Sequence, residues 1–103
     1  MEKLKCTYPL SDVAEFIRKR KRVITVSAIQ HAHQLGFSET EIYDIILELD
    51  WTDFCKSMAS YSDHKLWQDV YKIERKGINL YIKLQVRDDK AVIVSFKKDQ
   101  PEA

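Results

Sequence analysis

The residues from Leu80 to Lys98 constrain this chain most. Leu80, Ile82, Leu84 and Val86 alternate with Tyr81, Lys83, Gln85 and Arg87. A period of two marks a strand with one apolar and one polar face, because successive side chains of a strand point to opposite sides. Lys90 to Lys98 reads as a second such strand, with Val92, Val94 and Phe96 on one face and Ala91, Ile93, Ser95 and Lys97 on the other. Asp88-Asp89 between the two runs reads as a hairpin turn. Trp67 to Tyr71 reads as a further strand, turning near Lys76-Gly77.

The first half has the other period. Leu10, Val13, Ala14 and Ile17 fall at i, i+3, i+4 and i+7, one face of a helix. Ser11 is the expected N-cap, with Asp12 and Glu15 in the first turn and basic residues at the C-terminal end. A second helix is expected from Thr25, with Ala28, Ala32 and Leu35 on its narrow face and Gly36 as its stop. Ser38-Glu39-Thr40-Glu41 is a capping box, and Ile42, Ile45, Ile46 and Leu49 follow at helical spacing. Helices followed by sequential strands predict an α+β fold, with N-terminal helices packed on one face of a C-terminal antiparallel sheet. The other face then carries Tyr81, Lys83 and Lys97. Asp99 to Ala103 reads as a frayed tail.

At 103 residues the expectation is a single domain over 1–103. Two isolated glycines leave no room for a Walker loop or a dinucleotide fingerprint. No apolar run reaches the roughly 20 residues of a membrane helix. Met1-Glu2-Lys3-Leu4-Lys5 leads into no apolar signal region, so cytoplasmic residence is expected. Cys6 and Cys55 form no CxxC pattern and read as free thiols of a reducing compartment. The net charge of +1 does not announce nucleic-acid binding. Arg18-Lys19-Arg20-Lys21-Arg22 nevertheless puts five cations in a row. Such a run is either a solvated helix end or a phosphate contact. Arg18, Arg20 and Arg22, with Lys83 and Arg87 on the polar strand face, are the candidate RNA-binding cations.

Phe54 to Tyr71 is the oddest stretch in composition, with a His, Asp, Lys, Gln, Trp and Tyr side chains crowded around Ser62 to Tyr71. Polar groups of that density are costly to bury unpaired and suit a surface that touches something. Metal chemistry finds no donor set: His31 and His33 would point about 200° apart on a helix, and His64 has no partner at ligand spacing. Ser62-Asp63-His64 are consecutive, so strand neighbours would face opposite ways rather than form a triad. Lys, Tyr, Gln and Arg side chains near a sheet face remain. They can run phosphodiester chemistry without metal, because RNA brings its own nucleophile, the 2′-hydroxyl. Lysines offset charge, and one crowded by other cations can take a proton. Tyr can donate a proton, and Gln can bond phosphate or base.

Asp53-Phe54-Cys55-Lys56-Ser57-Met58, Tyr61-Ser62-Asp63-His64 and Trp67-Gln68-Asp69-Val70-Tyr71 resemble the MqsR toxin family of bacterial toxin–antitoxin systems. Tyr81-Ile82-Lys83 and Ile93-Val94-Ser95-Phe96-Lys97 continue the resemblance to the end of the chain. It implies a RelE-like toxin fold and a metal-independent, sequence-specific mRNA endoribonuclease that cuts at GCU-like sites and needs no cofactor. It implies a cognate MqsA-like antitoxin, which carries the DNA-binding domain, so that DNA is met only through that partner. By position, the implied catalytic set is Lys56, Gln68, Tyr81 and Lys97. Cys55 departs from the family pattern, where a relative has Tyr, and removes a base-stacking surface. One extra residue falls in the Asp88 to Ala91 turn. Strict alternation puts Gln68 on the face of Leu66 and Val70, which read as core, so either a bulge re-aims it or its function is less direct. Trp67, Asp69, Tyr71 and His64 read as framework. The competing reading is a non-catalytic module that binds RNA or protein through the same face.

Overall fold

The structure is a computed structural model that describes residues 1–59 and 66–100. The readings of Tyr61, Ser62, Asp63 and His64, and of the tail beyond Gln100, lie outside the described residues. The chain runs β1 (Glu2–Lys3), α1 (Leu10–Arg18), β2 (Arg22–Ile24), α2 (Val26–Gln34) and α3 (Glu39–Glu48). A 3₁₀ turn (Trp51–Asp53) leads into β3 (Phe54–Ala59), β4 (Trp67–Arg75), β5 (Ile78–Arg87) and β6 (Lys90–Lys98). The six strands form one sheet in the order β1-β3-β4-β5-β6-β2.

The helices bury one face of that sheet. Val13 and Ile17 of α1, Ala28 and Ala32 of α2, and Ile42, Ile45 and Ile46 of α3 share a core with Tyr71, Leu80, Ile82, Leu84, Ile93 and Phe96. Burying a Leu, Ile or Phe side chain of this kind is worth about 2 kcal/mol. Ser38 caps α3 as the capping box predicts, accepting from the Glu41 amide while Glu41 accepts from the Ser38 amide. Thr25 caps α2 by accepting from Ala28 N at 3.2 Å, and Gly36 follows at φ +89°. Both β-hairpins turn on two residues of positive φ, Lys76-Gly77 and Asp88-Asp89, as the right-handed twist of the flanking strands requires.

Three expectations need correction. Ser11 does not cap α1; Pro9 does, without a side-chain bond, and its carbonyl accepts from the Asp12 and Val13 amides. Proline's fixed φ sets the entry to the helix two residues early, which puts Ser11 inside the first turn. The sheet is not wholly antiparallel, because β2 pairs parallel to β6. Finally, β6 turns Ala91, Ile93 and Phe96 into the core instead of Val92, Val94 and Phe96. Lys83 pairs with Ser95 but Leu84 with Ile93, so Val94 is an extra residue and the alternation breaks there.

Candidate active site

The face of the sheet away from the helices collects the candidate residues. Its order follows from the ladders. One row crosses four strands as Lys56 (β3), Val70 (β4), Lys83 (β5) and Ser95 (β6). The next row is Lys72, Tyr81 and Lys97. On the other side Met58 pairs with Gln68, and Gln85 with Val92. Neighbouring strands lie about 4.8 Å apart, so Lys56, Gln68, Tyr81 and Lys97 share one face spread over four strands, with Lys56 and Lys97 roughly 14 Å apart across the ladder.

Two bulges make this possible. Phe54 pairs with Tyr71 on the core face, yet Lys56 pairs with Val70, so Cys55 is an extra residue in β3. Without it Lys56 would share the face of Phe54 and point at the helices. The Val94 bulge does the same for Lys97: with Ile93 inward, strict alternation would turn Lys97 inward too. Thr25 holds that second bulge, donating from its hydroxyl to Val94 O at 2.8 Å while its amide donates to Ile93 O at 3.1 Å.

Gln68 needs no bulge. Val70 is fully buried but lies on the same outer face as Gln68, opposite Lys83, and takes no part in the helix-side core. Gln68 lines a groove of about 460 Å³ with Gln85, Arg87, Val92 and Val94. It also lines a hollow of about 300 Å³ with Met58, Leu66 and Lys83. Asp69 faces the opposite way and is framework: its carboxylate accepts from the Thr7 and Tyr8 amides at 2.9–3.0 Å. Trp67 O accepts from Tyr8 Oη at 2.8 Å and Gln85 Nε2 at 3.2 Å, which fixes the start of β4 beside Gln68.

The lysines differ in their electrostatics. Lys56 Nζ lies 2.7 Å from the Glu2 carboxylate, whose hydrogen bond raises its pKa above the ordinary lysine value. Lys83 is pushed the other way, by burial first and then by the charges of Lys97 and Lys56. The Tyr81 ring lies between two ammoniums, 5.4 Å from Lys97 Nζ and 5.7 Å from Lys83 Nζ. Burial raises the Tyr81 pKa against the pull of Lys56, so its hydroxyl stays a proton donor. That hydroxyl meets only a weak acceptor among the described residues, Met58 Sδ at 4.0 Å.

The basic run lies elsewhere. Arg22 stands opposite the core residue Ala91, stacks its guanidinium 4.0 Å from the Tyr43 ring and donates to Ile17 O. Arg18 and Arg20 are exposed at the end of α1 and the turn after it. Neither is brought to the Lys56–Lys97 cluster, whereas Arg87 lines the groove that ends at Gln68. Sequence reasoning missed Glu2 and Gln85. Only the period of two in β5 pointed to Gln85, and nothing pointed to Glu2. An apolar hollow of about 480 Å³ lined by Cys6, Leu10, Trp51, Phe54 and Tyr71 contains none of the candidate groups.

The family model described as "Motility quorum-sensing regulator, toxin of MqsA" matches residues 5–98 of this chain. The chain is also 38% identical over 98 residues to the protein named mRNA interferase toxin MqsR of Escherichia coli (strain K12), covering 95% of this chain and 99% of that one.

Proposed function

The chain belongs to the MqsR toxin family, and from that premise we propose that it is the toxin of a toxin–antitoxin pair and cleaves mRNA as an endoribonuclease. The observation that carries this reading is the convergence of Lys56, Gln68, Tyr81 and Lys97 on one face of the sheet, two of them turned there by bulges.

In the proposed reaction the RNA 2′-oxygen attacks the adjacent phosphorus and the bond to the 5′-oxygen breaks. Lys56 and Lys97 offset the charge that builds on the phosphoryl oxygens. Tyr81 gives its hydroxyl proton to the departing 5′-oxygen. Gln68 orients phosphate or base from the floor of the groove. Positioning, charge and proton transfer suffice here, so the reaction is proposed to need no metal. GCU-like sites are the proposed targets, an MqsA-like antitoxin the proposed partner, and the cytoplasm the proposed location. Contact with DNA would come only through the antitoxin.

The test is incubation of the purified protein with end-labelled GCU-containing RNA in EDTA. Cutting at discrete sites is expected. Intact RNA that is nevertheless bound would leave the non-catalytic module standing instead. Lys97→Ala is expected to cut far more slowly, by about 10²-fold or more.

A further inference from the structure

Lys83 occupies the centre of the outer face. Its row neighbours are Val70, which is fully buried, and Ser95. Lys56 stands two strands away on one side, and Lys97 lies diagonally on the other. Tyr81 and Arg87 share its strand and face, and Lys72 is on the adjoining strand. The acidic groups of this face are engaged elsewhere: Glu2 bonds Lys56, Asp99 lies 3.3 Å from Lys72, and Glu74 accepts from the Gly77 amide. Among the described residues no carboxylate reaches Lys83. An amine over an apolar floor and ringed by cations is disfavoured as ammonium, which suits it to accept a proton. Burial and the Lys97 and Lys56 charges accordingly hold its pKa down, whereas Glu2 holds Lys56 up. Lys83 also lines the hollow of about 300 Å³ shared with Gln68 and Met58.

We propose that Lys83 is the general base of the cleavage reaction, placed at the middle of the cation row to take the proton of the RNA 2′-hydroxyl. This inference rests on the endoribonuclease reading and assigns a step in it. The lone pair of the neutral Lys83 amine accepts the 2′-proton as the 2′-oxygen bonds to phosphorus. The P–O5′ bond breaks with its electron pair on oxygen, and that oxygen takes the Tyr81 proton. The products are a 2′,3′-cyclic phosphate and a 5′-hydroxyl. Lys83 then loses its extra proton to water and the Tyr81 oxygen regains one, which restores the enzyme.

The experiment compares the parent protein with Lys83→Arg and Lys83→Ala. Single-turnover cutting of end-labelled GCU-containing RNA is followed across pH. Binding is measured by anisotropy on the same RNA carrying a 2′-deoxy nucleotide at the mapped cut position. Lys83→Arg keeps the charge but cannot deprotonate. It is expected to bind within about threefold of the parent and to cut about 10²- to 10⁴-fold more slowly. The acidic limb of the parent's pH–rate profile should vanish in both variants, and small primary amines should restore part of the Lys83→Ala rate. Lys83→Arg cutting at the parental rate would overturn the assignment. So would losses of binding and cutting that run in parallel in both variants, because Lys83 would then only hold phosphate. A parent that fails to cut at any pH overturns the endoribonuclease reading itself, and this step with it.

Discussion

Glu2 and Lys56 form an ion pair across the first two strands of the sheet, and any phosphate that reaches Lys56 must displace that carboxylate. The pair is exposed, so little stability rests on it. Glu2→Gln is therefore expected to leave the fold intact and tighten RNA binding several-fold. The slope of log affinity against log salt should steepen by up to about 0.7, the value for one further single-strand phosphate contact. Anisotropy titrations of non-cleavable RNA at several salt concentrations measure both. Unchanged affinity and slope would show that Lys56 meets no phosphate. Lys83 has the opposite sign. Its pKa is lowered in the fold, so its charged form costs stability, fully so below its folded-state pKa. As pH rises through its folded-state pKa toward the ordinary lysine value of 10.5, the unfolded chain holds more protons than the native one and the cost is relieved. Lys83→Met is thus expected to raise the melting temperature at pH ~7 and to lose that alkaline gain. A lower melting temperature at neutral pH would contradict the assigned burial.

At the scale of elements, the irregular positions do the placing. Lys56 and Lys97 are each turned outward by one extra residue, Cys55 in β3 and Val94 in β6. Thr25 secures the second bulge while capping α2. Thr25→Val is expected to cost about 1–2 kcal/mol through the lost cap, read from the urea midpoint. It should also slow cutting beyond what the loss of folded protein explains, because Lys97 is no longer held outward; a parental rate per folded molecule would separate the bulge from function. The helices were legible in the sequence because their signals are local: the Ser38 capping box, the start of α2 at Thr25 and the stop at Gly36 all hold. The hairpin of β5 and β6 was legible from its period of two. The bulges were not. A bulge changes no residue type, only which partner each residue faces, so it leaves no mark in a local pattern. For this reason strict alternation put Gln68 on a core face and called for a bulge or a less direct function there, and neither is needed. It also gave β6 a core face of Val92 and Val94, which the fold turns outward. The short strands β1 and β2 were missed as well, since two or three residues carry no measurable period.

Over the whole molecule, a net charge of +1 conceals a sorted surface. Lys56, Lys72, Lys83, Lys97 and Arg87 share the outer face with Glu2, Glu74 and Asp99 as acidic members among the described residues. The most conspicuous cations in the sequence, Arg18 to Arg22, belong to the end of α1 and the far edge strand, and Arg22 is occupied by Tyr43. Composition could not make that distinction, because it depends on which side of the sheet each side chain leaves. The candidate site was proposed from its residue types and, through the family pattern, from its positions, and the structure places those residues on one face of the sheet. The ranking of its lysines was not legible in the sequence, because it depends on neighbours brought from β1 and β6. The account as a whole holds that this face positions an RNA 2′-hydroxyl for attack on its own phosphate. Mass spectrometry of the fragments cut from a GCU-containing RNA in EDTA tests this most directly. The prediction is a 2′,3′-cyclic phosphate on the upstream fragment and a 5′-hydroxyl on the downstream one, with no cutting once the nucleotide at the cut carries a 2′-deoxy sugar. Fragments ending in a 3′-hydroxyl and a 5′-phosphate would mean that water, not the ribose, is the nucleophile, and would contradict the account.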